Sequence, residues 1–286
     1  MPTSDLVQLP ALMDIIEALQ PASILDLGVG FGRYGFLCRE LLDDHTASDG
    51  SGGFRREPWR LRLVGVEVCP HVLGPWHQQL YDRIEVAEAS AFLRATRDGE
   101  FDLVLAIDLL EHLPKRAAVD LCHQAMRVGQ NSLFCTPYLF RPQEATEQNP
   151  RERHLSGWLP DDFAALGARY IFSVGISLVA VATATELPLP RQPERVPPAN
   201  GRYLGLARAL FATYAQTSQW PEAAETAALY LRHRPADVDV LCLAGFVQEQ
   251  LGAEAKAESF YRRAIKADPD GTKARSCLER LTRRKG

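Results

Sequence analysis

The chain contains 286 residues, of which 46% are apolar and 24% are charged, and its formal net charge is −4. This length accommodates one large domain or two of ordinary size, and the composition is that of a globular protein. The mildly acidic balance gives no reason to expect a nucleic acid or a membrane as a partner.

The cysteines and the N-terminal stretch predict a cytoplasmic protein. Six cysteines are scattered through apolar segments, without a CxxC pair or histidines at metal-ligand spacing. Such cysteines are typical of reduced core thiols in a reducing compartment, and we expect no metal site. The opening MPTSDLVQLP has no basic patch followed by an apolar run, so we expect no signal peptide.

Strands and helices alternate over residues 1–185, which predicts an α/β domain with a parallel sheet. The pattern predicts helices at 9–19, 33–42, 71–80 and 115–128 and from Asp161 onward, and strands at 23–27, 61–66, 84–86, 101–107 and 132–136. The polar, glycine-rich stretch 45–58 is interpreted as a loop insertion. Two further apolar runs, 168–174 and 176–183, are so close that they permit only an antiparallel hairpin.

A proline-rich stretch separates this domain from the rest of the chain. Residues 186–201, ELPLPRQPERVPPANG, contain five prolines and a glycine and can continue neither a helix nor a central strand. We interpret them as an extended linker, with a second domain at 202–286.

The second domain has the pattern of an all-α helical repeat. Pro235 and Pro269 are 34 residues apart, as are Ala223 and Ala257. This part resembles the tetratricopeptide family, most clearly in its second unit, where the matching positions are Leu241, Ala244, Gly245, Ala257, Tyr261, Ala264 and Pro269. The first unit fits less well, because Phe211 stands where a small residue is expected. We therefore expect about two hairpins and a final, solvated basic helix over 272–284.

A glycine-rich turn follows the first strand. Residues 24–35 read ILDLGVGFGRYG, and by itself this stretch fits two cofactors. Read as G-x-G-x-x-G it would hold the pyrophosphate of a nicotinamide dinucleotide, with Glu67 at the ribose. Glu67 lies 37 residues after Gly30, but without the 45–58 insertion the spacing approaches the usual value. Spacing alone therefore does not reject a dehydrogenase.

Three stretches, in order, resemble class I S-adenosylmethionine-dependent methyltransferases. DLGVGFG (26–32) is similar to the D-x-G-x-G-x-G motif I of that family, VAEASAF (86–92) to its adenine clamp, and FDLVLAIDLLEHLP (101–114) to its fourth-strand segment. The resemblance covers roughly residues 8–184. It implies a Rossmann-like, seven-stranded, mostly parallel sheet with an antiparallel terminal hairpin, and S-adenosyl-L-methionine as cofactor, with S-adenosyl-L-homocysteine as product.

The resemblance also implies roles for individual residues at the carboxyl ends of the strands. The carboxylate of Asp26 suits the ammonium and sulfonium of the methyl donor. Glu67, with Val68 beside it, would bind the ribose hydroxyls. Glu88 would accept from the adenine amine and Ala89 would meet the ring, while Asp108 would face the methionine part or the substrate, or else cap the next turn. Close approach to the amino-acid part of the cofactor would require the glycines of the turn, Gly28, Gly30 and Gly32.

Two histidines are candidate catalytic bases. His112 lies four residues after Asp108 and could take a proton from a hydroxyl or an amine, or serve in packing. His154 lies in the long polar segment 135–163 after the fifth strand, which is expected over the substrate pocket. That segment resembles one in a bacterial subset of the family, through Gln143, Asn149, Glu152, His154, Ser156 and Trp158.

These residues predict methyl transfer to a hydroxyl or an amine of a small molecule or sugar. Nucleobase amines are disfavoured, because CTPY (135–138) lacks the asparagine of the N-P-P-Y motif. An alternative is a protein methyltransferase, or a scaffold, that recruits a protein partner through the helical repeats. The repeats could also mediate self-association or cover the active site.

Overall fold

The computed structural model describes residues 6–43, 59–145, 150–189 and 201–283. The predicted loop insertion at 45–58, most of the predicted linker and Asn149 lie outside the described residues. The chain divides into two compact units. The first comprises the described residues of Met1–Tyr138, Glu144–Arg153 and Trp158–Glu194, and the second those of Leu139–Gln143, His154–Gly157 and Arg195–Gly286.

The first unit is an α/β fold built on one sheet. Its described strands are Ser23–Leu27 (β1), Arg62–Glu67 (β2), Arg83–Val86 (β3), Phe101–Ile107 (β4), Gly129–Pro137 (β5), Tyr170–Val174 (β6) and Ser177–Ala182 (β7). Its described helices are Leu9–Leu19 (α1), Arg33–Leu42 (α2), His77–Leu80 (α3), Ala89–Ala95 (α4), Lys115–Val128 (α5) and Pro160–Ala165 (α6).

The sheet has the predicted Rossmann-like topology. Its strand order is β3-β2-β1-β4-β5-β7-β6, and β7 pairs antiparallel with both β5 and β6, whereas the other pairs are parallel. Alternate residues of β4 enter different apolar cores, with Val104 and Ala106 in one and Leu103 and Leu105 in the other. A central strand buried on both faces reads as a continuous apolar run, which is why FDLVLAI was recognisable.

One predicted helix of this unit was wrong, and one observed helix was not predicted. The predicted helix over 71–80 is a 3-10 turn at Pro70–Val72 followed by the short α3, because Gly74 and Pro75 interrupt it. Helix α4 was not predicted, since its seven residues are too few to give a clear helical period.

The second unit contains the helices Gly201–Gln216 (α7), Trp220–His233 (α8), Val238–Gln250 (α9), Glu254–Ala267 (α10) and Thr272–Arg283 (α11). Each helix packs against the next, which confirms two hairpins and a final helix. The repeat positions Ala223 and Ala257 are both buried. A Cβ on Gly245 would lie 2.4 Å from the Tyr261 ring, so only glycine permits this approach of α9 to α10.

Two short segments, 139–143 and 154–157, also belong to the second unit, and Gly157 lies against Leu210 of α7. The Gly157 amide donates to the Tyr214 hydroxyl at 3.2 Å, and the Gln219 side-chain amide donates to the Leu155 carbonyl at 2.9 Å. Across the described residues, no helix is both long enough and apolar enough to cross a membrane.

Candidate functional site

The glycine-rich turn leaves the carboxyl end of β1 with three glycines in the left-handed region. Gly28, Gly30 and Gly32 have φ angles of 79°, 54° and 79°. The amides of Gly28 and Val29 both donate to the Val66 carbonyl, at 2.8 and 3.3 Å, which fixes the turn against β2. Any other residue at the three glycine positions would strain this conformation.

Glu67 ends β2 and binds the same turn with its carboxylate. Its Oε2 accepts from the Gly30 amide at 2.9 Å, and its Oε1 accepts from the Cys69 amide at 2.8 Å. An ionised carboxylate accepts about four hydrogen bonds, so a fixed Glu67 can still accept from a ligand hydroxyl. Val68, the next residue, is partly buried.

An aromatic cluster supports the turn from the β2–β3 side. His77 Nδ1 accepts from the Gly74 amide at 2.9 Å, so Nε2 carries the proton and donates to the Gly30 carbonyl at 2.9 Å. The Phe31 and Trp76 rings stack at 5.9 Å, and both remain more than 40% exposed.

Asp26 lies inside β1 with its carboxylate buried. Only 2% of the residue is exposed, and Oδ2 accepts from the Tyr81 hydroxyl at 2.6 Å. Burial raises the pKa of Asp26 from 3.8 to about 6, the Tyr81 hydrogen bond opposes this, and the nearby charge of Glu67 adds to it. A carboxylate whose desolvation is only partly offset favours a cationic neighbour.

Asp108 follows β4 and is held by the N-terminal turn of the chain. Its φ is +49°, its amide donates to the Cys135 carbonyl at 2.8 Å, and its Oδ2 accepts from the Gln8 side-chain amide at 2.9 Å. The Ser177 hydroxyl in turn donates to the Gln8 Oε1. The N-cap residue of the following 3-10 turn is Leu109, one position after Asp108.

Glu111 and His112 lie on that 3-10 turn. The Thr136 hydroxyl donates to Glu111 at 2.9 Å, and burial, with a contribution from Asp108, raises the pKa of Glu111 well above its ordinary value. Burial lowers the pKa of His112, against the opposing influence of the Arg153 backbone carbonyl and the Asp108 charge. His112 is therefore neutral at pH 7 and can accept a proton.

Glu88 lies between β3 and α4, where the sequence predicts that the adenine of the cofactor binds. Its Oε1 pairs with Arg151 Nη1 at 2.5 Å, and both side chains are about half exposed. Glu88 does not cap α4 through its side chain. Ala89 begins that helix and packs on the core.

His154 belongs to the second unit, where it is buried. Its amide donates to the Gln143 carbonyl at 3.0 Å, and Nδ1 lies 2.6 Å from the Arg141 carbonyl. Nδ1 therefore carries the proton in the neutral ring, and Nε2 is the basic nitrogen. The buried Ser156 and Trp158 of the same predicted segment fall in different units, with Trp158 stacked on Phe163.

The structure brings most predicted residues of the first unit to the carboxyl edge of the sheet. It also adds residues that the sequence did not single out, namely Gln8, His77, Tyr81, Glu111 and Arg151. Glu111 stands in the recognised segment DLLEHLP, so the motif was a signal for it. The others lie far along the chain from their partners, and no local pattern marks them.

Comparison with known proteins gives one curated relative and several structural likenesses. No model of a known protein family matches the chain. A "Ubiquinone biosynthesis O-methyltransferase" of Aromatoleum aromaticum is 27% identical over 173 residues, covering 58% of this chain and 59% of the relative. The chain thus matches less than two thirds of that relative's length.

Two solved structures are similar to different parts of the chain. A SAM-dependent methyltransferase from Archaeoglobus fulgidus matches 62% of this chain and 92% of its own at 13% identity, with a TM-score of 0.44. The first TPR of Spaghetti (RPAP3) bound to an HSP90 peptide matches 28% of this chain and 64% of its own at 15% identity, with a TM-score of 0.27. At such TM-scores neither likeness carries weight for function. The strand order and the terminal hairpin themselves give the first unit the fold of class I methyltransferases.

Proposed function

We propose that the protein is an S-adenosylmethionine-dependent methyltransferase whose cofactor occupies the carboxyl edge of β1, β2 and β4. The observation that carries this proposal is that backbone amides of the glycine-rich turn already donate hydrogen bonds within the protein. A dinucleotide pyrophosphate needs free backbone N–H groups at such a turn. Here four of these amides already donate to protein acceptors: Gly28, Val29, Gly30 and Gly32.

The charges at this edge support the same choice. The acids there, Asp26, Glu67 and Asp108, would repel a pyrophosphate and attract the ammonium and sulfonium of S-adenosylmethionine. The buried carboxylate of Asp26 lies within β1, two residues before the turn, and is held by the Tyr81 hydroxyl. Asp108 faces the methionine part, at the end of β4.

The remaining cofactor residues are assigned by position along the edge. The glycines of the turn let the backbone approach the amino-acid part. Glu67 binds the ribose hydroxyls beside Val68, and Glu88 binds the adenine amine, with Ala89 against the ring. Bound S-adenosylmethionine would supply an electrophilic methyl group for an in-line displacement.

His112 and His154 are the proposed bases that take a proton from the acceptor. His112 is neutral at pH 7 because of its burial, and His154 presents Nε2 as its basic nitrogen. The Arg141 carbonyl fixes the ring of His154, as a base needs a defined orientation.

We propose a hydroxyl or an amine of a small molecule or sugar as the acceptor. The absence of an N-P-P-Y motif disfavours a nucleobase amine, and the name of the curated relative supports oxygen as the acceptor atom. The six cysteines are all free thiols, which is consistent with a cytoplasmic location.

Calorimetry with S-adenosylhomocysteine and, separately, with NAD tests the cofactor. We expect the protein to bind S-adenosylhomocysteine and not NAD. Glu67→Gln should bind S-adenosylhomocysteine about tenfold more weakly, because it loses a charge-assisted hydrogen-bond acceptor. Glu17→Gln removes an exposed carboxylate of α1 and should bind as the wild type does. Binding of NAD alone would refute the proposal. A screen with labelled methyl donor against metabolites, sugars and lysate proteins then identifies the acceptor class.

The exposed apolar side chains of α9 support the alternative in which the tetratricopeptide-like helices bind a protein or a second copy. Phe246 contacts Trp220 edge-on yet is 36% exposed, and Leu251, just after α9, is 41% exposed. Sedimentation of the full chain and of Phe246→Ser tests self-association. Labelling of lysate proteins that is lost in Phe246→Ser would indicate recruitment of a protein substrate.

A further inference from the structure

A short segment of the first unit contacts both the proposed adenine site and one of the proposed bases. Residues 151–153, here called the strap, follow β5 in sequence and include the end of a 3-10 turn. At one side Arg151 pairs with Glu88, after β3. At the other side the backbone of Glu152 and Arg153 hydrogen-bonds the His112 ring, after β4.

The strand order places the two contacts of the strap on either side of the strands proposed to hold the cofactor. In the sheet, β2 and β1 lie between β3 and β4. With about 4.8 Å between neighbouring strands, β3 and β4 are about 14 Å apart. The two contacts of the strap therefore lie on either side of β2 and β1, whose carboxyl ends lead into Glu67 and the glycine turn.

The Arg151 contact also determines where the Glu88 carboxylate points. Glu88 is half exposed and does not cap α4, so its side chain has rotamer freedom to lose. Arg151 Nη1 contacts Oε1, and a carboxylate can accept about four hydrogen bonds, so Glu88 retains capacity to accept at Oε2. A guanidinium that holds one oxygen fixes the direction of the other.

We propose that Arg151 is a positioning residue for the adenine end of the cofactor, acting through Glu88. The inference depends on the proposed function. Arg151 holds the carboxylate in the orientation that accepts from the exocyclic amine. Arg151 does not itself take part in methyl transfer.

Calorimetry with S-adenosylhomocysteine tests this through a double-mutant cycle. We expect Arg151→Gln to weaken binding about two- to fivefold, the range for an exposed ion pair. Glu88→Gln should weaken it more, and the double variant should bind as Glu88→Gln does, because Arg151 acts only through that carboxylate. Arg97→Gln breaks another exposed pair of the first unit, with Glu100, and should leave binding unchanged.

S-inosylhomocysteine, which carries an oxygen in place of the adenine amine, adds a readout that a merely structural role would not change. The wild type should prefer S-adenosylhomocysteine, and this preference should fall in Arg151→Gln and disappear in Glu88→Gln. The positioning role would be overturned, and the proposed function would not, by either of two results. Arg151→Gln could bind S-adenosylhomocysteine with unchanged or tighter affinity, or Arg151→Gln could still weaken binding when it is combined with Glu88→Gln. If the folded wild type binds no S-adenosylhomocysteine, the proposed function fails as well.

Discussion

Replacing Asp26 by asparagine should stabilise the protein without ligand and weaken the cofactor site. Asp26 is almost fully buried, and its one described hydrogen-bond donor is the neutral hydroxyl of Tyr81. Burying a charge without a cationic partner costs free energy. Asparagine keeps the shape and can still accept from Tyr81, but it carries no charge.

The magnitude follows from the pKa of Asp26, which is about 6 in the folded protein against an ordinary 3.8. At 1.36 kcal/mol for each pH unit, the ionised carboxylate costs about 3 kcal/mol of folding free energy at neutral pH. The folded pKa is raised, so the cost is absent below pH 3.8, grows as the pH rises to about 6, and is constant above it. About 2 kcal/mol of it should develop between pH 4.5 and pH 7.5.

Urea unfolding of both proteins, followed by tryptophan fluorescence from pH 4.5 to pH 7.5, measures this cost. The free energy of unfolding of Asp26→Asn minus that of the wild type should increase by about 2 kcal/mol over this range. Other titrating groups cancel in the difference. In calorimetry at pH 7.5, the variant should bind S-adenosylmethionine more weakly, because the carboxylate that attracts the cation is gone.

A difference between the two proteins that does not change with pH would refute the reasoning. It would mean that Asp26 ionises as an ordinary carboxyl does, so that its charge is not held out of water. Unchanged affinity for S-adenosylmethionine would separately refute the electrostatic role of Asp26.

Three further predictions concern two contacts of the first unit and one of the second. Tyr81→Phe removes the donor to Asp26 and should cost about 1–3 kcal/mol of stability in urea at pH 7.5, while a loss below 0.5 kcal/mol would contradict this. His112→Asn should lower turnover of an identified acceptor about 100-fold or more, while its affinity for S-adenosylhomocysteine in calorimetry stays unchanged. Full turnover by this variant would exclude His112 as the base. Gly245→Ala places a Cβ 2.4 Å from the Tyr261 ring and should lower the free energy of unfolding, measured by thermal unfolding, by about 1–3 kcal/mol. In the control Gly205→Ala the new Cβ meets no atom within 4 Å, and this variant should lose no stability.

The sequence predicted the sheet, its terminal hairpin and the helical hairpins, because these depend on local period and length. Strand β4 was visible as an unbroken apolar run, and the 34-residue repeat of buried alanines marked the helical unit. The glycines of the turn were also predictable, because a positive φ admits few other residues. In contrast, the helix predicted over 71–80 was wrong, because the apolar pattern was given more weight than Gly74 and Pro75, which interrupt the helix before α3.

The partners of the charged groups were decided only by the tertiary structure. The sequence showed acids near the carboxyl ends of three strands, but not that Tyr81 would bind Asp26, that Gln8 would hold Asp108, or that Arg151 would reach Glu88. Each of these contacts joins residues more than fifty positions apart. Burial and hydrogen bonding set the ionisation of such groups, and both arise only when the strands and connecting segments pack together.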